Sequence, residues 1–480
     1  VSGTVGGDGA NSGGTNKGMA PAVTIESYGF EQPGGLSEGF LYTDPGDLEA
    51  DYSDAINNWG AVVANNSIGT NTAPNGFPCE WTGDYGVTSN LIDSVVRGDL
   101  GGDIRIVWAN GNERQTTRCG DLYNTTAPPA CAKNHITVGA TNSDDDSITT
   151  FTSWGPADDG RIKPDLTAPG CQSDGDGGVT STFPGGGYGT YCGTSMASPT
   201  VTGIAALVVQ EWRRLHPGEA DLSNAAVKAL LANSGADLGN VGPDCQYGFG
   251  TVRARDAIDS LRADGVIESE VGNGGVGEHL VIVPAGESML RITLAWDDEP
   301  ASPLPLAALV NDLDLVVTSP GGQVFDPWTI DPADPGAPAT RSGRDRLNNM
   351  EQVSVENPTP GAWRIQVVGH AVPVGPQEYA LSANPNPIAC SSTGVVGFSG
   401  QRVQPETVVS INAVDCDLNT DDAVTDTVAV KIWSDDDPIG FDTVLTEDDP
   451  ASSSFAGSIQ LTLDPAGFGL HVLDGSQFYV

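Results

Sequence analysis

Positive charge is scarce in this chain. Its 480 residues include 21 Lys and Arg against 63 Asp and Glu, a formal net charge of −42 at pH 7. Nucleic acids and anionic membranes are bound through basic surface, so the balance argues against both partners. Three explanations of the excess acid stay open: a solvated surface that keeps the protein soluble, bound calcium, and a saline habitat.

Long apolar runs are also missing. No run approaches the ~20 residues that a membrane-spanning helix needs, so we expect no membrane insertion. No secretory signal peptide is recognisable. The length excludes a single compact core and favours two to four domains.

Cysteine pairs with the short spacing of zinc sites are absent as well. None of the eight cysteines forms a C-x-x-C pair, which argues against a zinc site. An even, scattered set favours disulfides and an extracellular protein. Proximity in sequence suggests the pairs Cys119–Cys131, Cys171–Cys192 and Cys390–Cys416, although sequence alone cannot fix the connectivity.

Residues 1–265 alternate strand-like and helix-like segments. The runs at 61–64 and 104–108 are short and β-rich, and the apolar residues Val201, Ile204, Ala205 and Val208 have helical spacing. This alternation predicts an α/β domain, with a parallel sheet covered by helices on both faces. Such sheets carry active sites at the carboxyl ends of their strands.

Two later regions change to a period of two. In residues 270–385, Leu290, Ile292 and Leu294 alternate with more polar neighbours, and in residues 388–480 Val428 and Ile432 belong to a similar pattern. Both patterns predict all-β sandwich modules, joined near Pro385 to Pro387. The second module ends without an evident closing strand, which suggests truncation. It is either an accessory binding module or a passive spacer.

The residues Gly193-Thr194-Ser195-Met196-Ala197-Ser198-Pro199 form the most informative motif. A serine hydroxyl is a weak nucleophile unless it is presented to the substrate and a base removes its proton. A tight turn into a helix presents it, and the helix N-terminus favours developing negative charge. The motif therefore predicts Ser195 as a nucleophile.

Two further segments accompany this motif. Residues 103–113 read as a strand that ends in Gly111-Asn112, and residues 64–69 end in Ser67-Ile68-Gly69. Taken alone, Asn112 is a turn asparagine and the second segment an ordinary strand end. Together with the serine motif, these segments resemble the subtilisin-like serine proteases (subtilases).

The resemblance implies roles for individual residues. The Asn112 side-chain amide and the backbone N–H of Ser195 would donate to the oxyanion of the tetrahedral intermediate. The cleft would be lined by residues whose backbone pairs with an extended peptide substrate: Ser67, Ile68, Gly69, Ala109, Asn110, Gly111 and Thr194. Asn110 stands where relatives often carry alanine, which implies a more polar pocket wall.

A subtilase serine works with a histidine base and an orienting aspartate. The resemblance implies the order Asp, His, Ser, with the histidine in a His-Gly-Thr-His-Val motif. Residues 1–7 and 17–21 resemble the segments that follow that motif, so we expect the chain to begin just after the base. None of the five histidines matches a catalytic position: His135, His216, His279, His370 and His471.

The region after residue 300 resembles the C-terminal β-sandwich of secreted alkaline subtilases, on the residues 309–315 and 348–351. That resemblance implies a structural Ca²⁺ bound by oxygen ligands from two loops. The candidate ligands are Asp297, Asp312, Asp314, Asn349 and Glu351. Asx-rich turns without a metal are an equally good explanation.

The sequence therefore predicts a secreted, monomeric serine endopeptidase that cleaves polypeptides through an acyl-enzyme. Because the aspartate and histidine would lie upstream, the 480 residues alone should be inactive. The alternative is a non-catalytic extracellular surface or adhesion protein with a degenerate subtilase domain.

Overall fold

The structure is a computed structural model. It describes residues 1–29, 43–70, 72, 76–114, 119, 122–175, 177–389, 395–398, 404–415, 418, 424–447, 454–465, 467, 469–473 and 476–480. Its helices are α1 (Ser2–Gly6), α2 (Pro45–Asn57), α3 (Val87–Val96), α4 (Thr194–Leu215), α5 (Asn224–Ser234) and α6 (Ala254–Arg262), with short 3₁₀ turns at Ala10–Ser12 and Cys79–Trp81. Among the described helices, none has the length and apolar character that crossing a membrane requires.

A parallel four-stranded sheet organises the first part of the chain. Its strands are β1 (Val63–Asn66), β2 (Arg105–Ala109), β3 (Ile136–Asn142) and β4 (Leu166–Cys171), in that spatial order. Alternate residues of β2 enter different cores: Ile106 and Trp108 pack with α2 and α3, whereas Val107 packs with α4. Both faces are thus covered by helices, which confirms the α/β expectation.

Helix α4 runs through the main core. Val201, Ile204, Ala205 and Val208 are all buried, as their spacing predicts. Pro199 lies beyond the first turn of the helix and has no N–H to donate to the Ser195 carbonyl, which accepts from Ser67 Oγ instead. The helix N-cap Gly193 follows an antiparallel hairpin of β5 (Val179–Phe183) and β6 (Gly187–Tyr191), whose strands pair with each other.

The next region is a two-sheet sandwich. Its strands are β7 (Val266–Val271), β8 (Val276–Val283), β9 (Met289–Ala295), β10 (Asp312–Thr318), β11 (Val324–Phe325), β12 (Met350–Glu356), β13 (Gly361–Ala371), β14 (Gln377–Asn384) and β15 (Pro387–Ala389). One sheet has the order β11-β10-β13-β8-β15 and the other β12-β9-β14-β7. The pairing of β15 with β8 places residues 387–389 in this sandwich.

The sandwich shares a hydrophobic core with the parallel-sheet domain. Ala295, Met350 and Ala380 belong to the same buried cluster as the residues of α4 and α5. At this junction the Lys133 ammonium lies 2.5 Å from the Asp298 carboxylate, and both side chains are fully buried. These contacts make the two regions one packed body.

A terminal module follows, with strands β16 (Val395–Phe398), β17 (Val408–Val414), β18 (Thr427–Ser434), β19 (Phe441–Glu447), β20 (Ser454–Thr462), β21 (Leu470–His471) and β22 (Phe478–Tyr479). They pair in the order β16-β17-β20-β19-β18-β22, and β21 adds to β20. The core of this module draws its members from residues 398–480.

One disulfide prediction is confirmed and one is wrong. Cys171 bonds Cys192, as expected, but Cys119 bonds Cys79 rather than Cys131. Cys131 is a buried free thiol in the core, where Cys119 does not reach it. Cys390 and Cys416 lie outside the described residues.

Candidate active site

Ser195 lies in the first turn of α4, where the helix meets the end of β1. Its Oγ donates to the carbonyl oxygen of Ser67 at 3.2 Å, and the Ser67 Oγ donates to the carbonyl oxygen of Ser195 at 3.0 Å. In this first turn the Thr194 N–H donates to Asn112 Oδ1 and the Met196 N–H donates to the Gly193 carbonyl, whereas the Ser195 N–H has no hydrogen-bond acceptor among the described residues. The Ser195 N–H can therefore donate to an anion.

The side chain of Asn65 supports the Ser67–Ser195 pair through hydrogen bonds. Asn65 Oδ1 accepts from Ser198 Oγ at 2.9 Å and from Thr202 Oγ1 at 3.0 Å, while its Nδ2 donates to Ser67 Oγ at 3.0 Å. Asn65 thus ties the end of β1 to the second and third turns of α4. The sequence pattern gives Asn65 no distinct role, because a polar residue near the end of a strand carries no signal of its partners.

Asn112 is held through Thr194. Its Oδ1 accepts from the Thr194 N–H at 2.9 Å and from the Thr194 Oγ1 at 3.1 Å, and Gly111 N donates to Thr194 Oγ1 at 3.2 Å. The acceptor end of the amide is therefore occupied, and Asn112 is exposed. Its Nδ2 is the end left to donate to a bound group, as the oxyanion role requires.

The proposed pocket residues do not all face the cleft. Asn110 is fully buried: its Nδ2 donates to the Ser153 carbonyl at 2.6 Å, and its Oδ1 accepts from Thr126 Oγ1 at 3.0 Å. Its amide is thus satisfied inside the protein. Ala109 is also buried, whereas a side chain at Gly69 would meet open space. Ile68 accepts a hydrogen bond from Trp108 Nε1 through its carbonyl.

A carboxylate lies beside the oxyanion candidate. Glu113 directly follows Asn112, is buried, and accepts from Thr72 Oγ1 at 3.4 Å. Its backbone N–H is held by Ser153 Oγ at 3.1 Å. Sequence reasoning assigned it no role, because one acidic residue after a strand carries no distinct signal.

Two of the five histidines are buried in hydrogen bonds away from Ser195. His135 is fully buried against Trp108, and its Nε2 pairs with Thr137 Oγ1 at 3.3 Å. Burial, reinforced by the nearby Lys163 charge, holds the pKa of His135 well below its usual value. His279 pairs with Tyr379 in the sandwich. Within the described residues, no hydrogen bond joins a histidine to Ser195.

A cavity of about 1000 Å³ runs along the outer edge of β1 and reaches Ser67. Within the described part of the chain, this edge of β1 has no strand partner. The walls are largely apolar and include Val5, Val63 and Leu207. The cavity is therefore bordered by β1 on one side and by α4 on another.

The five calcium candidates do not converge on one point. The Asp297 carboxylate accepts from Asn224 Nδ2 and the Ala225 N–H at the beginning of α5. Asn349 Nδ2 donates to the Trp296 carbonyl and to Asn134 Oδ1. These two residues fit structural hydrogen bonding better than metal ligation.

The other three candidates lie closer together. Arg346 forms ion pairs with Asp312 and Asp314. Glu351 Oε2 accepts from the Leu315 N–H, whereas its buried Oε1 has no hydrogen-bond partner in the structure. Burial, aided by the charge of Asp345, raises the pKa of Glu351 well above its usual value. Across the described residues, no group of three or more His, Cys, Asp or Glu side chains has a metal-binding arrangement.

These elements place Ser195 and Asn112 at the carboxyl edge of a parallel sheet. The model of the subtilase family matches residues 1–250, more than half of the chain. The chain therefore belongs to the subtilase family, which supports a serine peptidase.

Two curated relatives agree with this assignment. The serine protease AprX of Bacillus subtilis (strain 168) is 37% identical over 148 residues, 28% of this chain and 32% of AprX. The alkaline elastase YaB of Bacillus sp. (strain YaB) is 30% identical over 240 residues, 50% of each chain. A crystal structure of a lanthipeptide protease is 25% identical with a TM-score of 0.38, covering 51% of this chain and 72% of that one. The chain thus spans about a third to a half of these two curated relatives.

Proposed function

We propose that this protein acts as a secreted serine endopeptidase on polypeptides. The observation that carries the proposal is the arrangement of Ser195 and Asn112 across Thr194, which places a hydroxyl and an amide donor at one helix N-terminus. Ser195 Oγ would attack the peptide carbonyl and form an acyl-enzyme, which water then hydrolyses. Asn112 Nδ2 and the Ser195 N–H would stabilise the oxyanion.

We further propose that the general base and its orienting carboxylate lie outside residues 1–480. None of the five histidines, all of which lie in the described residues, hydrogen-bonds to Ser195, and this supports the proposal. The cavity beside β1 supports it too, because a strand parallel to β1 would end at the same edge of the sheet as Ser195. A side chain just beyond that end would come near Ser195. Removing the base from a subtilisin, a relative, lowers turnover about a millionfold, so the 480 residues alone should show negligible activity.

The test uses a fluorophosphonate probe and casein hydrolysis. We expect neither labelling nor hydrolysis with the 480-residue protein. A form extended by its natural upstream coding sequence should be labelled, and Ser195→Ala should abolish the labelling. Ser173→Ala, which removes an exposed loop serine, is the matched control.

The outcomes separate the two proposals. Robust hydrolysis by the 480 residues would refute the external base. An upstream sequence without a histidine motif, or an extended form that the probe never labels, would refute the peptidase and favour a non-catalytic surface protein.

Asn112→Ala tests the oxyanion role in the active form. Removal of one such donor costs about 3–4 kcal/mol, a value measured on a subtilisin. We expect kcat to fall by roughly two to three orders of magnitude with KM nearly unchanged. An effect on KM alone would assign Asn112 to substrate binding instead.

Calcium binding, the monomeric state and the lack of nucleic-acid binding remain predictions. We propose that Ca²⁺ is bound by Glu351, whose buried Oε1 has no hydrogen-bond partner, and that Asp312 and Asp314 must rearrange to join it, because the three side chains have no metal-binding arrangement in this structure. At pH 7.5, calcium should raise Tm relative to EDTA in the wild type but not in Glu351→Gln. Equal Tm values in calcium and EDTA would refute the site.

A further inference from the structure

The loop before the nucleophile helix has little core of its own. Between Cys171 and Gly193 the chain leaves the parallel sheet, forms the β5–β6 hairpin and returns. Of the described residues in this loop, Gly178 alone is buried. Segments with few buried contacts open locally at low cost. Something other than apolar burial must therefore fix where the loop ends.

Two adjacent links join the ends of this loop. Gly193 N donates to the Gly170 carbonyl at 2.9 Å, and the next pair of residues outward, Cys171 and Cys192, is joined by the disulfide. Their Cα atoms are 4.5 Å apart. The covalent link and the hydrogen bond thus form one clamp between the end of β4 and the residue that begins the serine turn.

The clamp lies directly before the reactive residues. Thr194, whose N–H orients the Asn112 amide, and Ser195 follow Gly193. On the other sides the turn is held by hydrogen bonds alone, through Ser67 and Asn112. The disulfide is therefore the covalent tie nearest to the nucleophile.

We propose that Cys171 and Cys192 are positioning residues: their disulfide fixes the turn that carries Thr194 and Ser195, and its reduction loosens that turn. Cys192 is exposed and Cys171 half-buried, so a small reductant can reach the bond. The phosphine TCEP converts the disulfide to two thiols and is itself oxidised to the phosphine oxide, with oxygen from water. The serine site is thereby sensitive to reducing conditions.

The second disulfide provides a matched control. Cys79–Cys119 joins residues 40 apart and does not adjoin the serine turn in sequence, whereas Cys171–Cys192 joins residues 21 apart. Both bonds restrict the unfolded chain, so the loss of either should lower global stability. Only the loss of Cys171–Cys192 should change the serine turn.

Hydrogen exchange by mass spectrometry of the 480-residue protein tests this. In Cys171→Ser/Cys192→Ser we expect exchange of residues 193–196 to accelerate roughly tenfold or more, because the loop is no longer closed covalently. Strands β2 and β3 should exchange as before. In Cys79→Ser/Cys119→Ser, residues 193–196 should keep wild-type exchange even if Tm falls.

A second measurement tests the proposal if the double variant fails to fold. Wild-type protein treated with TCEP after folding should show the same local acceleration. Unchanged exchange at residues 193–196 in the folded variant or in the reduced wild type would overturn the proposal. Exchange needs no turnover, so this result is independent of whether the peptidase proposal holds.

Discussion

The two β regions have the same sequence periodicity and different relations to the rest of the molecule. In β9, Ile292 and Leu294 face the sandwich core. Thr293 and Ala295, which alternate with them on the opposite face of the strand, are buried too, because that opposite face packs on the parallel-sheet domain. In β18, Ala429 and Lys431 on the corresponding outward face are exposed. The outward face of a strand, rather than its inward face, therefore distinguishes a fused region from an appended module.

Buried polar contacts also join the sandwich to the parallel-sheet domain. Asn134 of the parallel-sheet domain donates to the Asp298 carbonyl at 2.8 Å and accepts from the Asp298 N–H at 2.8 Å. Lys133 adds the buried ion pair to the same aspartate. Such groups are stable only while both regions are present, because an unpaired buried charge is costly. We therefore expect the sandwich and the parallel-sheet domain to fold as one unit.

Truncation should have the largest effect. We expect a protein ending at residue 264 not to fold, because it exposes the shared core and leaves Lys133 unpaired. A protein ending at Ala389 should keep the main thermal transition. Calorimetry and near-UV circular dichroism check both. A cooperative transition in the shorter protein would break the comparison.

Lys133→Met should have the next largest effect on stability. It leaves Asp298 buried without its partner, and removing one member of such a pair costs about 3–5 kcal/mol. Lys431→Met, which removes an exposed lysine of the terminal module, should cost less than about 0.5 kcal/mol. Urea unfolding measures both, and similar losses would contradict the contrast.

Glu351→Gln tests the sandwich through pH. The folded-state pKa of Glu351 is raised, so its contribution to stability is present below about pH 4.5, its unfolded value, and is lost as pH rises through the folded pKa. Above the folded-state pKa of Glu351, the variant should be more stable than the wild type by on the order of 1–3 kcal/mol in metal-free buffer. Tm scans in EDTA from pH 4 to 8 check this. A wild-type Tm that does not decline relative to the variant would refute it.

Phe455→Ala should leave the main body unaffected. Phe455 is fully buried in the core of the terminal module. Its truncation should destabilise that module by about 3–5 kcal/mol. Calorimetry should show a shifted second transition and an unchanged main one. A shift in both would show that the two parts unfold together.

Features that depend on apolar spacing could be predicted from sequence. Val201, Ile204 and Val208 identified α4 because burial of one helix face leaves that spacing. The Gly193–Pro199 motif located the serine turn because its residues are adjacent in the chain. Both signals are local.

Features that depend on long-range geometry could not be predicted. Cys131 is close to Cys119 in sequence, but it packs into the core while Cys119 bonds Cys79 in another loop. Asp297 has the chemistry of a calcium ligand, yet its carboxylate accepts from the beginning of α5. In both cases the partner comes from a distant segment, and composition does not record which of several polar partners is nearest.

The two buried free thiols, Cys131 and Cys245, can report when the parallel-sheet domain opens. Burial raises the pKa of Cys131 to about 12 and raises that of Cys245 as well, so neither forms the reactive thiolate in the folded protein. Both lie within or beside the core that α4 crosses. A thiol-specific reagent would therefore modify them only while the domain is open, and at a reagent concentration where modification outpaces reclosing, the rate of modification equals the rate of opening.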